Sequence, residues 1–90
     1  MTVEFDPKKN VANLSKHGLS LSDVDGALDD PLAVTLEDAS SQSEQRWITL
    51  GTNVFGTLCV VIHTQRRNNI RIVSVRKATT KERRDYEKGI

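Results

Sequence analysis

Residues 58–77, LCVVIHTQRRNNIRIVSVRK, specify the centre of the fold. Leu58–Ile62 is apolar at every position, which is typical of a central strand that is buried on both faces. A polar turn follows, and Ile70–Lys77 predicts the last strand, with Val73 and Val75 on one face and Ile70 and Ile72 on the other. By strict alternation, Arg71 and Arg76 lie on opposite faces of this strand, unless a bulge or the strand's end intervenes.

Two further strands are predicted upstream of this pair. Leu32–Leu36 and Arg46–Gly51 alternate apolar and polar residues, as half-buried strands do. Short turns join the four strands, so the predicted sheet is antiparallel and four-stranded. Val3–Phe5 is compatible with an additional short strand at the N-terminus.

Three helices flank the sheet in the sequence. Asp6-Pro7 is a strong helix start, and the first helix is predicted to run from there to Gly18. A second helix is predicted to follow and to stop at Asp29-Asp30-Pro31, and Thr79-Thr80-Lys81-Glu82 has the capping-box pattern of a short C-terminal helix. This order of elements predicts a single α+β domain spanning residues 1–90.

The composition narrows the class of protein. Hydrophobic residues make up 37% of the chain, and the single cysteine, Cys59, excludes an internal disulfide. No stretch approaches the roughly 18 apolar residues of a membrane span. The N-terminus also lacks the basic start and apolar core of a signal peptide. We therefore expect a cytoplasmic protein without a membrane partner.

Charge is unevenly distributed along the chain, although the net charge is only +1. Residues 20–45 contain seven acidic residues and no lysine or arginine, whereas residues 46–90 contain ten basic and three acidic residues. A basic half can attract phosphate polyanions, and an acidic segment can keep the protein in solution or bind a basic partner. Ordinary solvated surfaces have the same composition, so the charges alone leave both interpretations open.

Several short motifs, taken in order, resemble those of the BrnT family and cover nearly the whole chain. They are Phe5-Asp6-Pro7-Lys8, Asn13–Ser20, Asp29-Asp30-Pro31, Glu44 with Arg46-Trp47, Gly51, Arg71–Thr79, Glu82-Arg83 and Tyr86-Glu87. The resemblance departs at Leu21 and Leu28, where many relatives have phenylalanine. Both positions fall in the predicted core, so the departure concerns packing.

The resemblance implies a RelE-like fold and the activity of a toxic endoribonuclease that blocks translation. It also implies a type II toxin-antitoxin system, in which RNA is the substrate and a BrnA-type antitoxin inhibits the toxin. Antitoxins of this type carry a ribbon-helix-helix part, through which the toxin–antitoxin complex binds its own operator DNA.

The residue types are compatible with RNA cleavage that needs neither metal nor cofactor. His17, Cys59 and His63 are too isolated in the sequence to suggest a zinc site, and there is no glycine-rich phosphate loop or nucleophile elbow. When the ribose 2′-OH attacks the adjacent phosphate, the protein has to supply a base, an acid and cations. Arginine suits the last role because its guanidinium can donate two hydrogen bonds to phosphate oxygens.

Four residues are candidates for catalysis: His17, Arg76, Tyr86 and Glu82. Arg76 is expected to bind the reacting phosphate, and His17 to transfer a proton, because histidine exchanges protons near neutral pH. The structural alternatives are a charge at a strand end for Arg76 and a cation at a helix C-terminus for His17. Glu82 is equally the third residue of the capping box, and Tyr86, one turn later, could stack on a base, donate a proton or pack the helix on the sheet.

Five further basic residues are candidates for binding the RNA backbone: Arg46, Arg71, Lys16, Lys77 and Arg83. Cross-strand pairing with acidic residues is the alternative for Arg46 and Arg71. Trp47 is either a stacking platform or a core anchor. His63 is expected to be a hydrogen-bonded structural histidine.

Two functions from different classes account for these features. The first is a ribonuclease toxin. The second is a non-catalytic binding module that acts as a corepressor within a toxin–antitoxin complex on DNA. Direct sequence-specific DNA binding by this chain is weakly supported, because the sequence has no helix-turn-helix signature.

Overall fold

A computed structural model describes residues 2–40 and 44–89. It confirms the predicted α+β class, with a five-stranded sheet in the order β1-β5-β4-β3-β2. The strands are β1 (Thr2–Phe5), β2 (Val34–Glu37), β3 (Trp47–Thr52), β4 (Leu58–Arg66) and β5 (Asn69–Lys77). The helices are α1 (Pro7–His17), α2 (Asp25–Asp29) and α3 (Thr80–Lys88). In this part of the chain, no helix is long and apolar enough to cross a membrane.

The sheet is mixed, which corrects the predicted antiparallel, four-stranded arrangement. The pairs β2–β3, β3–β4 and β4–β5 are antiparallel as predicted. The additional short strand with which Val3–Phe5 is compatible does form as β1, but it pairs parallel to β5, with Val3 opposite Ile70. Short turns fix the directions of β2 to β5. No turn links β1 to β5, so its direction depends on long-range pairing that the local sequence does not specify.

The second helix is shorter than predicted. The chain forms a single 3-10 turn at Leu21–Asp23 before α2 begins at Asp25. Asp30 then organises the way into β2, since its backbone oxygen accepts a hydrogen bond from the Ala33 N–H and its Oδ1 from the Leu32 N–H. This turn delays β2 to Val34 and leaves Leu32 outside the strand.

The two faces of the sheet carry separate apolar clusters. The face that packs against α1 and α2 contains Cys59, Val61, Ile72 and Val75, which are all buried together with side chains from the segment between the helices. Gly51 permits the close approach of α2, because a Cβ there would lie 2.3 Å from the Ala27 backbone oxygen.

The opposite face is covered by α3 over part of its area. Leu50, Leu58 and Val60 are buried there, and Tyr86 of α3 packs against them. The helix itself has no buried residue. The helix therefore covers only part of this apolar cluster, and the polar side chains near the end of β5 stay accessible.

Candidate functional site

A β-bulge in β5 determines which side chains share a face. Ile62 lies opposite Ser74, but His63 lies opposite Ile72, so Val73 is an extra residue in the strand. The bulge reverses the alternation, and Ile72 and Val75 both point into the core beneath α1 and α2. Arg71, Ser74 and Arg76 consequently lie together on the opposite side of the sheet, which we call the arginine face. The strict alternation that would separate Arg71 from Arg76 is therefore wrong.

Arg76 is held by Glu82 of α3 on the arginine face. Its Nη1 and Nη2 atoms donate hydrogen bonds of 2.8 Å each to Oε1 and Oε2 of Glu82. This paired geometry orients the guanidinium, because two parallel bonds fix its plane. The Arg76 side chain is still 40% exposed. Some of the Arg76 N–H groups are therefore accessible to a ligand.

Glu82 has the structural role that the capping-box pattern predicts. It accepts a hydrogen bond from the Thr79 N–H at 2.8 Å, while the Thr79 hydroxyl accepts one from the Glu82 N–H at 3.2 Å. The hydrogen bonds from Arg76, and then that from Thr79, lower the pKa of Glu82 to about 2. A carboxylate stabilised to this extent is a weak base near neutral pH.

Arg71 lies further along the arginine face and has an acidic neighbour on β1. Its Nη1 is 3.7 Å from Oε1 of Glu4, in the cross-strand arrangement that was the alternative interpretation. Arg46 immediately precedes β3, and its backbone oxygen accepts a hydrogen bond from the Asp38 N–H. Continuing the β3–β4 register by one residue places Arg46 beside Thr64, on the same face as Arg71.

Lys16 and His17 lie in the last turn of α1, at the border of this face. They line a cleft with Lys9, Val73 and Ser74, where the bulge brings β5 towards the helix. His17 is half-buried and Lys16 is exposed. The helix ends at Gly18 in a left-handed conformation with φ 70°, so both side chains also lie where a positive charge stabilises the helix dipole.

Tyr86 is tied into a network with Asp30. The Tyr86 hydroxyl donates a hydrogen bond of 2.5 Å to Oδ2 of Asp30, which also accepts one from the Thr52 N–H at 2.9 Å. The bond from Tyr86 is the main cause that lowers the pKa of Asp30, and the same bond raises the pKa of Tyr86. The pair connects α3 to β3 and to the turn before β2. The sequence predicts Asp30 only to end a helix and to belong to a family motif, and it gives no sign of the contact with Tyr86.

Two of the predicted phosphate-binding residues lie away from Arg71 and Arg76. Lys77 is opposite Cys59 in the register, which places it on the face of α1 and α2, where it lines a cleft with Leu14 and Phe55. Arg83 is an exposed residue of α3. The structure therefore does not place either residue beside Arg71, Ser74 and Arg76.

His63 and Trp47 are neighbours on the face that packs against α1 and α2. Nε2 of His63 lies 2.7 Å from the Thr49 hydroxyl, which is in turn 2.8 Å from that of Thr35. Burial lowers the pKa of His63. As predicted, this histidine is buried and hydrogen-bonded. Trp47 lies opposite it and is half-buried, on the side of the sheet away from the arginine face.

Potential metal ligands are scattered in the described part of the chain. No group of three or more His, Cys, Asp or Glu side chains that could hold a metal ion occurs within residues 2–40 and 44–89.

The fold and the site define a small α+β protein whose sheet presents arginines of the kind that bind polyanions. A family model described as "Ribonuclease toxin, BrnT, of type II toxin-antitoxin system" matches residues 5–82. The chain therefore belongs to the BrnT family of ribonuclease toxins, as its sequence motifs predicted.

A solved structure supports the same fold. The chain resembles the 1.1 Å crystal structure of the Brucella abortus ribonuclease toxin BrnT with a TM-score of 0.70 and 22% sequence identity. The match covers 89% of this chain and 99% of the Brucella protein. The chain matches no curated protein.

Proposed function

We propose that this protein is a cytoplasmic endoribonuclease that cleaves RNA without a metal ion and thereby inhibits translation and growth. The observation that carries this proposal is the bulge at Val73, which places Arg71, Ser74 and Arg76 on one face. The cleft lined by Lys16 and His17 lies at the border of that face. Cations that converge on one surface next to a titratable side chain meet the requirements of phosphodiester cleavage.

The proposed reaction is an internal transfer within the RNA. The 2′-oxygen forms a bond to the adjacent phosphorus and gives its proton to a base, while the bond from phosphorus to the 5′-oxygen breaks and that oxygen takes a proton from an acid. The products are a 2′,3′-cyclic phosphate and a 5′-hydroxyl. Arg71 and Arg76 would stabilise the charge on the phosphate oxygens as the transition state forms.

The contacts favour His17 over Glu82 and Tyr86 for proton transfer. Glu82 is paired with Arg76, and its pKa is lowered to about 2. The Tyr86 hydroxyl already donates to Asp30. Glu82 would then act by orienting Arg76, and Tyr86 by fixing α3, while Lys16 would assist with phosphate binding.

We also propose how the toxin is controlled. A type II system supplies a protein antitoxin, and we infer that this one is of the BrnA type, with a ribbon-helix-helix part that carries the complex to operator DNA. The toxin would share the RelE-like fold that its sequence motifs imply. We expect the antitoxin to block the arginine face, and a complex that leaves Arg76 and His17 exposed would contradict this.

RNA cleavage by the purified chain, freed of any partner, tests the proposal. Total RNA is incubated with the wild type, Arg71→Ala, Arg76→Ala and His17→Ala in excess EDTA, with circular dichroism to establish folding. Lys88→Ala, an exposed change on α3 that removes the same charge, is the matched control. We expect the wild type and control to cut RNA and each site variant to lose about 100-fold in rate. Folded wild-type protein that leaves RNA intact in EDTA would contradict metal-independent cleavage by the isolated chain.

A second candidate function is favoured by the contacts of the catalytic candidates themselves. Arg76, Glu82 and Tyr86 all form contacts that hold α3 on the sheet. A non-catalytic module that acts as corepressor with its antitoxin would keep these contacts for stability alone. Growth distinguishes the two functions, since expression of an enzyme without antitoxin should arrest growth, whereas a corepressor should be tolerated.

A further inference from the structure

Thr64 on β4 combines deep burial with an unpartnered hydroxyl. Its exposed fraction is 1%, and its Oγ1 is the one buried side-chain polar atom of residues 2–40 and 44–89 that lacks a hydrogen-bond partner. Almost every buried polar group in a folded protein has a partner, because an unsatisfied one destabilises the fold. A valine has nearly the same shape and would avoid this loss of stability. The stability of the free protein therefore does not account for the hydroxyl.

The position of Thr64 supplies that explanation. It is paired with Arg71 in the β4–β5 register and therefore lies on the arginine face. The β3–β4 register, continued by one residue, places Arg46 on its other side. The unpartnered hydroxyl thus lies between two arginines that the sequence singles out as phosphate-binding candidates.

Thr49 shows what a buried threonine with a structural role looks like in this sheet. It is 2% exposed, on the neighbouring strand β3 and on the opposite face. Its hydroxyl is bonded to both His63 and Thr35, at 2.7 and 2.8 Å. The sheet therefore can satisfy a buried threonine, and it does so on the face away from the arginines.

We infer that the Thr64 hydroxyl is a phosphate-binding group of the RNA site and donates a hydrogen bond to a phosphate oxygen held by Arg71. This inference rests on the proposed ribonuclease function. The hydroxyl is closed to solvent in the free protein, so a neighbouring side chain has to move first. Arg71 is free to do so, because its 3.7 Å contact with Glu4 is longer than the ~2.8 Å of a direct charge-assisted hydrogen bond. As Arg71 turns towards a phosphate, the hydroxyl acquires a partner.

The test compares Thr64→Val with Thr64→Ser and with the matched control Thr49→Val. Thermal unfolding measures stability, and cleavage of a short RNA measures kcat and KM. We expect Thr64→Val to unfold at or above the wild-type temperature and to lose about tenfold or more in kcat/KM, the usual effect of a hydrogen bond to a charged group. Thr64→Ser keeps the hydroxyl and should retain most of the activity. Thr49→Val should unfold at a lower temperature and keep its kcat/KM.

Either of two results would overturn the inference: wild-type kcat/KM in folded Thr64→Val, or a clear loss of its stability, which would reveal a structural partner. Binding of 2′-O-methyl RNA, which cannot undergo 2′-OH attack, separates this inference from the proposed function. If the wild type binds this RNA but cleaves no natural RNA, the ribonuclease proposal fails. Weaker binding by Thr64→Val would then still support the phosphate-binding role, and unchanged binding would refute it. A wild type that neither cleaves nor binds RNA would refute both.

Discussion

Glu82 illustrates how one side chain can stabilise a helix and orient a functional cation. It closes the capping box of α3 with one oxygen and holds Arg76 with both. These contacts favour its charged form, so the pKa of Glu82 falls from the ordinary value of 4.5 to about 2. The unfolded chain binds a proton at a higher pH than the folded one. The stabilisation by Glu82 is therefore complete above pH 4.5 and is lost as the pH falls towards 2.

We expect Glu82→Gln to remove this pH dependence. At pH 7 the free energy of unfolding of the variant should be about 2 kcal/mol lower than that of the wild type. This figure allows for solvent screening of the partly exposed pair. At pH 2 the difference should fall to a few tenths of a kcal/mol, because Glu82 is then about half protonated in the folded wild type and almost fully protonated in the unfolded chain. Urea unfolding at both pH values measures the change, and Glu87→Gln, an exposed change on the same helix, is the control. An equal loss at both pH values would show that charge is not the cause.

At the scale of single elements, the attachment of α3 depends on Tyr86 because the helix has no buried residue. We expect Tyr86→Phe to lower the free energy of unfolding by about 1 kcal/mol, since it removes the hydrogen bond to Asp30. The phenyl ring can keep its packing against Leu50 and Val60. Cleavage by folded Tyr86→Phe should match the wild type. Unchanged stability together with lost cleavage would instead make Tyr86 a proton donor.

The docking of α1 depends on one buried amide. β1 covers β5 only as far as Ile72, and beyond that point Asn13 bonds to both backbone groups of Val75, through Nδ2 at 2.8 Å and Oδ1 at 3.2 Å. A second bond from Nδ2, to the Leu19 backbone oxygen, closes the end of the helix. The side chain thus replaces a strand where the sheet edge would be open.

Asn13→Leu keeps the approximate volume and removes all three bonds. We expect it to lower the free energy of unfolding by roughly 3 kcal/mol, because the backbone groups of Val75 and Leu19 lose their partners in a buried position. Ser15→Ala, on the exposed side of the same helix, should change stability by less than about 0.5 kcal/mol. Thermal unfolding compares the two variants. Similar melting temperatures would mean that water can replace the amide.

The elements that local chemistry specifies were predictable from the sequence, and those that depend on distant contacts were not. Asp6-Pro7 and the capping box at Thr79 locate their helices because the caps lie within the segments themselves. The sequence contains only an ambiguous sign of the bulge at Val73, because the apolar positions change phase from Ile70 and Ile72 to Val73 and Val75, and a strand that is apolar on both faces has the same pattern. The grouping of Arg71 with Arg76 depends on that one extra residue. The role of Asp30 likewise requires Tyr86, which is 56 positions away.

At the scale of the whole molecule, the two faces of the sheet have separate tasks. The face beneath α1 and α2 contains the larger apolar cluster, together with the bonded Thr49–His63 pair. The arginine face combines a smaller cluster with polar residues that are paired less completely. This division allows charges to gather on one side without interrupting the main core. It also explains how a chain with a net charge of +1 can present a basic surface.

The salt dependence of RNA binding tests that basic surface directly. Each phosphate that a cation neutralises on single-stranded RNA releases counterions, so the logarithm of the affinity should fall with the logarithm of salt concentration by about 0.7 per contact. With 2′-O-methyl RNA as an uncleavable ligand, we expect Arg71→Ala to reduce this slope by about 0.7. Lys88→Ala should leave it unchanged, although both variants lose the same charge. Fluorescence anisotropy from 50 to 300 mM salt measures the slopes. Equal reductions in the two variants would mean that RNA responds to net charge alone, and the arginine face would then have no special part in binding.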